Sequence, residues 1–392
     1  MGFGQLLNST TPPIAVDFGA ASMKVMQIAS GEPRSLIAAA CVETPKEFLA
    51  DPAGRLEFQL AALPGVIKKG RFRGRRLMIS APAGQTWVQH LQVMRAEGAD
   101  LKQLVSAQLQ TQTGVDPATL VIRHYEVCET ARGSSSRTET ICVATRRGLV
   151  LRMLETLRKQ KLEVVGVHSE HLAISRAVPL LTGPSGADAD AASDAGPEAT
   201  VAIDLGYSAT KLVITHGDKP VFAKTIEISG QTLDETVAGQ LGCGELAARQ
   251  RRLRAERLTP ARQPVGAGAP TGIPALDAAA PAASDPESPA GALDLSDPIE
   301  GVTDETLMCL RYHRTLFPEV RLTSALFVGG EARHEPLCRA LAERLRLSAH
   351  VADPLAVIDG ASDKARAVNV DFSVPQPGWT VALGLCLSPA DI

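Results

Sequence analysis

The chain has 392 residues, with 40 lysine and arginine side chains against 43 aspartate and glutamate side chains, and seven cysteines that form no Cys-x-x-Cys pair. The nearly balanced charge argues against a nucleic-acid partner, and scattered cysteines in apolar surroundings are typical of reduced thiols in a cytosolic protein. Since there is no signal-peptide pattern and no apolar run near the roughly 20 residues of a membrane-spanning helix, we expect a cytoplasmic protein that is long enough for two domains.

A β-hairpin with a ligand-binding tip is predicted for residues 14–26. An apolar strand ends in Asp17-Phe-Gly19, small residues follow, and a second apolar strand contains Lys24. Glycine lets the backbone approach a ligand because it has no Cβ, and successive backbone amides in such a turn bind anions. The lysine adds a positive charge, so the hairpin tip is a candidate phosphate site.

Three elements are predicted after this hairpin: a strand at 35–42, a helix that contains 56–63, and a strand at 77–80. The basic run Arg71–Arg76 precedes the last strand. Such a run is more often a solvated loop before a buried strand, and contact with anionic lipid is the alternative.

A separate α+β subdomain is predicted at residues 86–146. Strand-like alternation covers 87–93, a helix follows the N-cap residue Asp100, and two further strands cover 120–127 and 139–145. The subdomain therefore interrupts the first lobe of the chain.

The first hairpin has a second copy at residues 201–214, and the two copies align without a gap. Three matched pairs lie 187 positions apart: Asp17 and Asp204, Gly19 and Gly206, and Lys24 and Lys211. Duplication of a whole supersecondary unit indicates a pseudo-symmetric fold. The second copy also contains Ser208 and Thr210, whose hydroxyl groups are candidate hydrogen-bond donors to phosphate oxygens.

The segments around the second hairpin differ in composition. Residues 182–198 are rich in Gly, Ala, Asp and Ser and are predicted to be a linker. A capped helix at 228–241 is followed by the helix Glu245–Arg254, whose basic character is typical of a solvated face. Residues 258–296 are rich in Ala, Pro and Gly with little aliphatic content, so we expect them to be disordered.

A strand that runs into a Gly-Gly turn is predicted at 324–334, and an apolar helix at 378–387. Together with the two hairpins, this turn resembles the actin, Hsp70 and sugar-kinase superfamily, in which the hairpins bind the phosphates of ATP and the turn contacts adenosine. An α+β subdomain inserted at this place resembles the FtsA and PilM families. The stretches that look like PilM in particular are Pro13–Gly19, Val143–Arg147, Glu170–Ala177, Gly329–Glu331 and Val381–Leu385.

The resemblance implies an α/β, actin-like and ribonuclease H-like fold with two lobes and an FtsA-type α+β insert. The implied divisions are a first lobe at 12–85 and 147–181, the insert at 86–146, the linker at 182–198, a second lobe at 199–257 and 297–392, and the disordered insert at 258–296. ATP and Mg²⁺ are the implied cofactors. The residues implied in binding them are Asp17, Gly19, Ala20, Ala21, Ser22 and Lys24 of the first hairpin, Asp204, Gly206, Tyr207, Ser208, Thr210 and Lys211 of the second, and Gly329, Gly330 and Glu331 of the turn, with Asp17 and Asp204 holding Mg²⁺ through water.

Two residues are candidates for catalysis. In related proteins a residue on the segment between the lobes orients the attacking water. PilM proteins commonly carry an aspartate two residues before the glutamate that Glu170 resembles, and this chain has His168 there. Glu170 and His168 are therefore the candidate catalytic residues, and we expect weak ATPase activity at most.

The implied function is that of an ATP-binding adaptor of the type IV pilus assembly complex, on the cytoplasmic side of the inner membrane. The implied partner is a PilN-like membrane protein, bound through its cytoplasmic N-terminal peptide, and membrane contact is expected only through this partner. Leu91, Val93, Leu101 and Leu104 are candidates for the peptide groove or for the core of the insert. The alternatives are a small-molecule kinase of the same superfamily and an FtsA-like filament protein that associates with itself.

Overall fold

The computed structural model describes residues 11–94, 100–132, 135–183, 197–258, 293–360 and 367–390. Within these ranges the chain forms a six-stranded, a five-stranded and a three-stranded sheet. The strands are β1 (Ile14–Phe18), β2 (Ser22–Ile28), β3 (Leu36–Glu43), β4 (Arg76–Ala81), β5 (Thr86–Met94), β6 (Leu120–Arg132), β7 (Ser135–Arg146), β8 (Glu163–Ser169), β9 (Glu198–Leu205), β10 (Thr210–His216), β11 (Lys219–Ile226), β12 (Arg321–Val328), β13 (Ser348–Val351) and β14 (Ala367–Val368).

The two larger sheets repeat one topology. The first has the strand order β14-β3-β2-β1-β4-β8, and the second has the order β11-β10-β9-β12-β13. In the first sheet β1, β2 and β3 are antiparallel neighbours, and β4 runs parallel to β1 on its other side. In the second sheet β9, β10 and β11 are antiparallel neighbours in the same way, and β12 runs parallel to β9. The duplicated hairpins are therefore equivalent parts of two equivalent sheets.

The helices are α1 (Pro52–Lys69), α2 (Leu101–Thr113), α3 (Arg147–Lys159), α4 (Glu170–Thr182), α5 (Gly230–Leu241), α6 (Glu245–Arg254), α7 (Ser296–Leu316), α8 (Glu335–Leu345) and α9 (Thr380–Cys386). Several begin at side chains that accept a hydrogen bond from an otherwise unpaired backbone amide. Asp100 accepts from the Lys102 amide at 3.0 Å, and Ser169 accepts from the Leu172 amide at 3.3 Å. None of the helices in the described ranges is both long and apolar enough to cross a membrane.

Two helices, α4 and α9, lie between the two large sheets. One cluster of buried side chains joins Ala15 of the first sheet, Ile174 of α4, Leu326 of the second sheet and Val381 of α9. Burial of a large aliphatic side chain contributes about 1.5–3 kcal/mol. This shared core fixes the two sheets on either side of α4, which begins at Glu170.

The insert is a three-stranded sheet, in the order β5-β7-β6, with α2 on one face. Leu91, Val93 and Leu101 are buried in the core between this sheet and α2, and Leu104 packs against that core. The four leucine and valine residues considered for a peptide groove are therefore core residues of the insert. The other face of the sheet contacts the second lobe at Ala223 of β11.

A buried polar contact also joins the insert to the second lobe. Glu139 of β7 has no exposed surface, and its Oε2 accepts a hydrogen bond from the hydroxyl of Tyr312 on α7 at 2.8 Å. His90 of β5 lies 3.0 Å from the same oxygen. The insert is thus a bridge between the lobes rather than an appendage of the first lobe.

The last part of the chain differs from the expectation that residues 297–392 all belong to the second lobe. β14 pairs with β3 at the edge of the first sheet, and α9 packs against α4 and β1. Local patterns gave no sign of this return, because it is fixed by contacts between elements far apart in sequence.

Two spacers were predicted, a linker at 182–198 and a disordered insert at 258–296. Residues 184–196 of the first and 259–292 of the second lie outside the described residues. The residues that flank the second spacer are packed, since Leu258, Leu293 and Leu295 are buried in the core of the second lobe. The Leu295 amide donates to the Leu258 carbonyl at 2.8 Å. The ends of the 258–296 segment are therefore ordered and lie next to each other.

Candidate functional site

A cavity of about 300 Å³ lies between the two lobes. It is lined by residues at or just after the carboxyl ends of β1, β4, β9 and β12, and by Glu170 at the start of α4. Ligands of open α/β sheets bind at the carboxyl ends of the strands. The volume is at the lower end of the roughly 300–1,000 Å³ of small-molecule sites.

The first hairpin places Asp17 at the wall of this cavity, where it is 4% exposed. Ser80 of β4 accepts a hydrogen bond from the Phe18 amide at 3.0 Å and donates one to Asp17 Oδ1 at 3.3 Å. Burial, together with the nearby charge of Glu170, raises the pKa of Asp17 to about 7. The ionised form is disfavoured because water that would stabilise it is excluded.

The second hairpin places Asp204 and Lys211 opposite each other on β9 and β10. Lys211 Nζ lies 2.8 Å from Glu170 Oε2 and 3.2 Å from Asp204 Oδ2. Glu170 Oε1 accepts a hydrogen bond from the Ala83 amide at 2.9 Å, so this cluster ties both lobes together. Burial alone would lower the pKa of Lys211, but the charges of Asp204 and Glu170 outweigh burial and raise it.

Lys24 differs from Lys211 although the two lysines occupy equivalent positions in the duplicated hairpins. Lys24 is half-buried and lines the cavity, and it forms no ion pair with any residue that the structure describes. Its charge is therefore available to an anionic ligand.

The Gly-Gly turn after β12 forms another wall of the cavity. Gly329 has a φ of +90°, in the left-handed region that favours glycine, and a side chain there would overlap the Asp204 carboxylate. At Gly330 no atom lies within 4 Å of the place that a Cβ would take. The backbone of Gly330 is thus the part of the turn that a ligand can approach.

Glu331, expected to contact the cofactor, is held by two arginines of α6. Arg252 is fully buried and donates to Glu331 Oε2 at 2.8 Å and to Asp234 Oδ1 at 2.7 Å. Arg249 donates to Glu331 Oε1 at 3.4 Å, and its guanidinium carbon lies 4.6 Å from the centre of the Tyr207 ring. The expectation that α6 presents a solvated face is wrong on this side, because a buried arginine needs carboxylate partners and both come from distant segments.

Most residues predicted for the site do line the cavity. They are Asp17, Gly19, Ala20, Ala21, Ser22, Lys24, Glu170, Asp204, Gly206, Tyr207, Ser208, Lys211, Gly329, Gly330 and Glu331. Thr210 does not, because successive strand residues point to opposite faces, and its hydroxyl donates to the Ile228 carbonyl at 2.7 Å. His168 does not either, since its Nε2 lies 3.0 Å from the Pro389 carbonyl and its Nδ1 lies 3.3 Å from Arg176. Both expectations are corrected by this placement.

Several other residues that reach the cavity were not predicted from the sequence. They are Cys41 and Glu43 of β3, Arg55 of α1, Arg249 of α6, Arg333 after the Gly-Gly turn, and Asn369, Asp371, Gln376 and Trp379 before α9. Apart from Arg333, which follows the Gly-Gly turn directly, none of them belongs to a local motif. Their position depends on how these elements return to the cleft.

The cavity contains three buried carboxylates, Asp17, Asp204 and Glu170. Asp204 and Glu170 both contact the Lys211 ammonium group, and burial raises the pKa of both Asp17 and Asp204. A divalent cation would stabilise their ionised forms, and Mg²⁺ prefers oxygen ligands and retains water. The described residues contain no group of three or more His, Cys, Asp or Glu side chains arranged around a metal position.

Comparison with known proteins supports the fold. No sequence-family profile matches the chain, and no curated protein sequence is significantly similar to it. The structure is similar to a solved PilM–PilN type IV pilus biogenesis complex, with a TM-score of 0.64 and 18% identity over 96% of this chain and 98% of that chain. Lower scores are found for MreB5 of Spiroplasma citri bound to AMPPNP, with a TM-score of 0.47 and 12% identity over 97% and 96% of the two chains. The ethanolamine utilization protein EutJ of Carboxydothermus hydrogenoformans gives a TM-score of 0.43 and 12% identity over 97% and 91%.

The similarity to PilM confirms the actin-like α/β fold that the duplicated hairpins and the insert predicted. The resemblance to the PilM family is thus confirmed at the level of the fold.

Proposed function

We propose that this chain is an ATP-binding, actin-like adaptor of type IV pilus assembly. The observation that carries the proposal is that three motifs far apart in sequence, the two hairpin tips and the Gly-Gly turn, line a single cavity between the lobes. The cavity also contains buried carboxylates that are costly to keep ionised. Buried charges of perturbed pKa in a cleft are typical of functional sites.

Different residues of the site are suited to different parts of the nucleotide. The hairpin turns at Gly19 and Gly206 and the free charge of Lys24 are suited to the phosphates, and Gly330 with Arg249 is suited to the adenosine. Asp17 and Asp204 would hold Mg²⁺, which supplies neutralisation of phosphate charge. Weak hydrolysis is expected, because both oxygens of Glu170 already accept hydrogen bonds from the protein.

The partner that we propose is a PilN-like inner-membrane protein, bound through its cytoplasmic N-terminal peptide. The support is the fold shared with PilM, which was solved together with PilN. Binding would place this chain on the cytoplasmic side of the inner membrane, peripheral to it through the partner. The junction of the insert with the first lobe, where Arg146 of β7 lies 5.6 Å over the ring of Trp87 of β5, is the candidate groove for an extended peptide.

The two tryptophans of the chain allow the two halves of the proposal to be tested separately. Trp379 lines the nucleotide cavity, and Trp87 lies in the insert. In a Trp87→Phe variant Trp379 is the only tryptophan, and we expect Mg-ATP to change the tryptophan emission in a saturable way. In a Trp379→Phe variant Trp87 is the only tryptophan, and we expect the partner's tail peptide, but not a scrambled peptide, to change the tryptophan emission.

Calorimetry on the unchanged protein decides the outcome. Absence of Mg-ATP binding would remove the nucleotide half of the proposal. Absence of binding by the tail peptide would remove the adaptor half. Deletion of the whole insert is not a suitable control, because the insert packs against Ala223 and Tyr312 of the second lobe.

A further inference from the structure

One end of the first lobe carries a cluster of basic side chains that the nucleotide cavity does not use. This basic end consists of Lys68, Lys69, Arg71, Arg73, Arg75, Arg76, Arg158, Lys159 and Lys161. All are exposed except Arg76, which is half-buried, and none forms an ion pair with a residue that the structure describes. Residues 68–76 and 158–163 contain one acidic residue, Glu163, although the net charge of the chain is −3.

The two segments of the basic end are brought together by the packing of α1 and α3. Both helices end beside the amino ends of the parallel strands β4 and β8. The Glu163 amide donates to the Arg75 carbonyl at 2.9 Å, and Gln160 Nε2 donates to the Leu60 carbonyl at 2.9 Å. The nucleotide cavity lies at the carboxyl ends of the same strands. The basic end and the cavity are therefore at opposite ends of the first sheet.

Two of these basic residues occupy backbone conformations that favour glycine. Arg71 follows α1 with a φ of +59°, and Lys161 follows α3 with a φ of +62°. Glycine is the usual residue at this place after a helix, because a Cβ is unfavourable in the left-handed region. Basic side chains thus stand in two turns where glycine would be less strained.

We propose that the basic end binds the anionic surface of a phospholipid bilayer directly. Each lysine or arginine near such a surface strengthens binding roughly fivefold, or about 1 kcal/mol. With the basic end on a bilayer, the opposite end of the sheet, where the nucleotide cavity opens, stays accessible.

A bilayer fits the basic end better than a nucleic acid does. The basic end is formed by turns and by the carboxyl ends of helices. Proteins that bind in a DNA groove insert the side or the amino end of a helix, or a two-stranded β-ribbon. Phe72, the one aromatic residue in the run 68–76, packs against the core of the first lobe and does not offer a stacking surface for bases.

This proposal rests on the proposed function in one respect, which is that the protein works beside a membrane. It adds direct lipid contact to the membrane contact made through the partner. Vesicle binding is measured without nucleotide or peptide. A negative vesicle result would therefore not affect the conclusions on nucleotide and peptide binding, and negative results for nucleotide or peptide would not affect the conclusion on vesicle binding.

The test is co-sedimentation of the full chain with vesicles of phosphatidylglycerol and phosphatidylcholine, compared with vesicles of phosphatidylcholine alone. The variant combines Arg71→Gly, Lys161→Gly, Arg73→Gln and Arg75→Gln. We expect at least a tenfold loss of affinity for the anionic vesicles. We also expect an unchanged or higher melting temperature, because the two glycines relieve the left-handed turns.

The matched control removes four exposed charges from the second lobe: Arg251→Gln, Arg254→Gln, Arg311→Gln and Arg314→Gln. It is expected to keep its affinity for vesicles, and binding by the unchanged chain is expected to weaken as salt is added. Equal losses in both variants would overturn the proposal, because net charge alone would then explain binding. No binding to anionic vesicles at low salt would also overturn it, as would tighter binding to a short DNA duplex than to vesicles.

Discussion

Lys211 Nζ lies 2.8 Å from Glu170 Oε2, and this ion pair joins the second hairpin to the helix between the lobes. The same ammonium group lies 3.2 Å from Asp204 Oδ2. Its charge is thus neutralised within the protein, whereas the equivalent Lys24 has no such partner among the described residues. The duplicated hairpins therefore differ: the lysine of the second is paired with buried carboxylates, and we propose that the lysine of the first offers its charge to a ligand.

Substitution of the two lysines is expected to separate these roles. Lys24→Gln should lower Mg-ATP affinity about 10- to 150-fold, since a hydrogen bond to a charged group contributes about 1.5–3 kcal/mol, and should change stability little. Lys211→Met should destabilise the fold by about 3–5 kcal/mol because it leaves two buried carboxylates unpaired. Calorimetric titration and urea unfolding measure the two effects. Equal loss of stability in both variants would contradict the division of roles.

The Gly-Gly turn gives a steric test of nucleotide binding. Gly330→Val places a branched side chain in open space of the cavity, because no atom lies within 4 Å of the Cβ position, so we expect loss of Mg-ATP binding with a nearly unchanged melting temperature. Gly206→Val is not equivalent, since its Cβ would lie 2.5 Å from the Ala209 carbonyl oxygen and the hairpin itself would be strained. Full affinity in Gly330→Val would contradict the placement of the nucleotide.

Local patterns predicted the parts of this molecule that local chemistry determines. The hairpins at Asp17 and Asp204, the turn at Gly329 and the α+β insert follow from strand alternation, glycine and duplication, and the structure contains all of them. Tertiary contacts decide the rest. No spacing in the sequence indicates that Arg252 pairs with Asp234 and Glu331, or that β14 returns to the first sheet.

ATP turnover is expected to be far below the roughly 10 s⁻¹ median of enzymes. Glu170 is the remaining candidate for orienting water, so Glu170→Gln should abolish any residual phosphate release. His168→Ala should leave the rate unchanged, because His168 faces Pro389 and Arg176 and not the cavity. A turnover near the median would refute the expectation, and a rate lost on His168→Ala would restore that residue as a candidate.

Replacement of residues 259–292 by a short Gly/Ser linker is expected to change the melting temperature little. The flanking residues are already adjacent, with the Leu295 amide bonded to the Leu258 carbonyl, and loop-closure entropy changes slowly with length. The matched variant extends the replacement through Leu293 and Leu295. Loss of these buried leucines should cost about 2–5 kcal/mol each in urea unfolding. Equal stability of the two variants would show that the flanking leucines contribute nothing.

Acid sensitivity is expected from the histidine pair of the second lobe. His216 Nε2 and His313 Nε2 lie 2.8 Å apart, and burial, with the nearby His216 and Arg314, lowers the pKa of His313 to about 4. An unfolded histidine titrates near pH 6.5, so between pH 6.5 and 4 the unfolded chain binds a proton that the folded chain does not. The free energy of unfolding is therefore not reduced by His313 above pH 6.5. It falls as the pH is lowered from 6.5 towards 4, and His313 accounts for at most about 3 kcal/mol of this fall. Urea unfolding at pH 7 and pH 5 measures this loss, which should be smaller in His313→Gln and unchanged in a His124→Gln control. An equal loss in the His313→Gln variant would show that other groups cause the acid sensitivity.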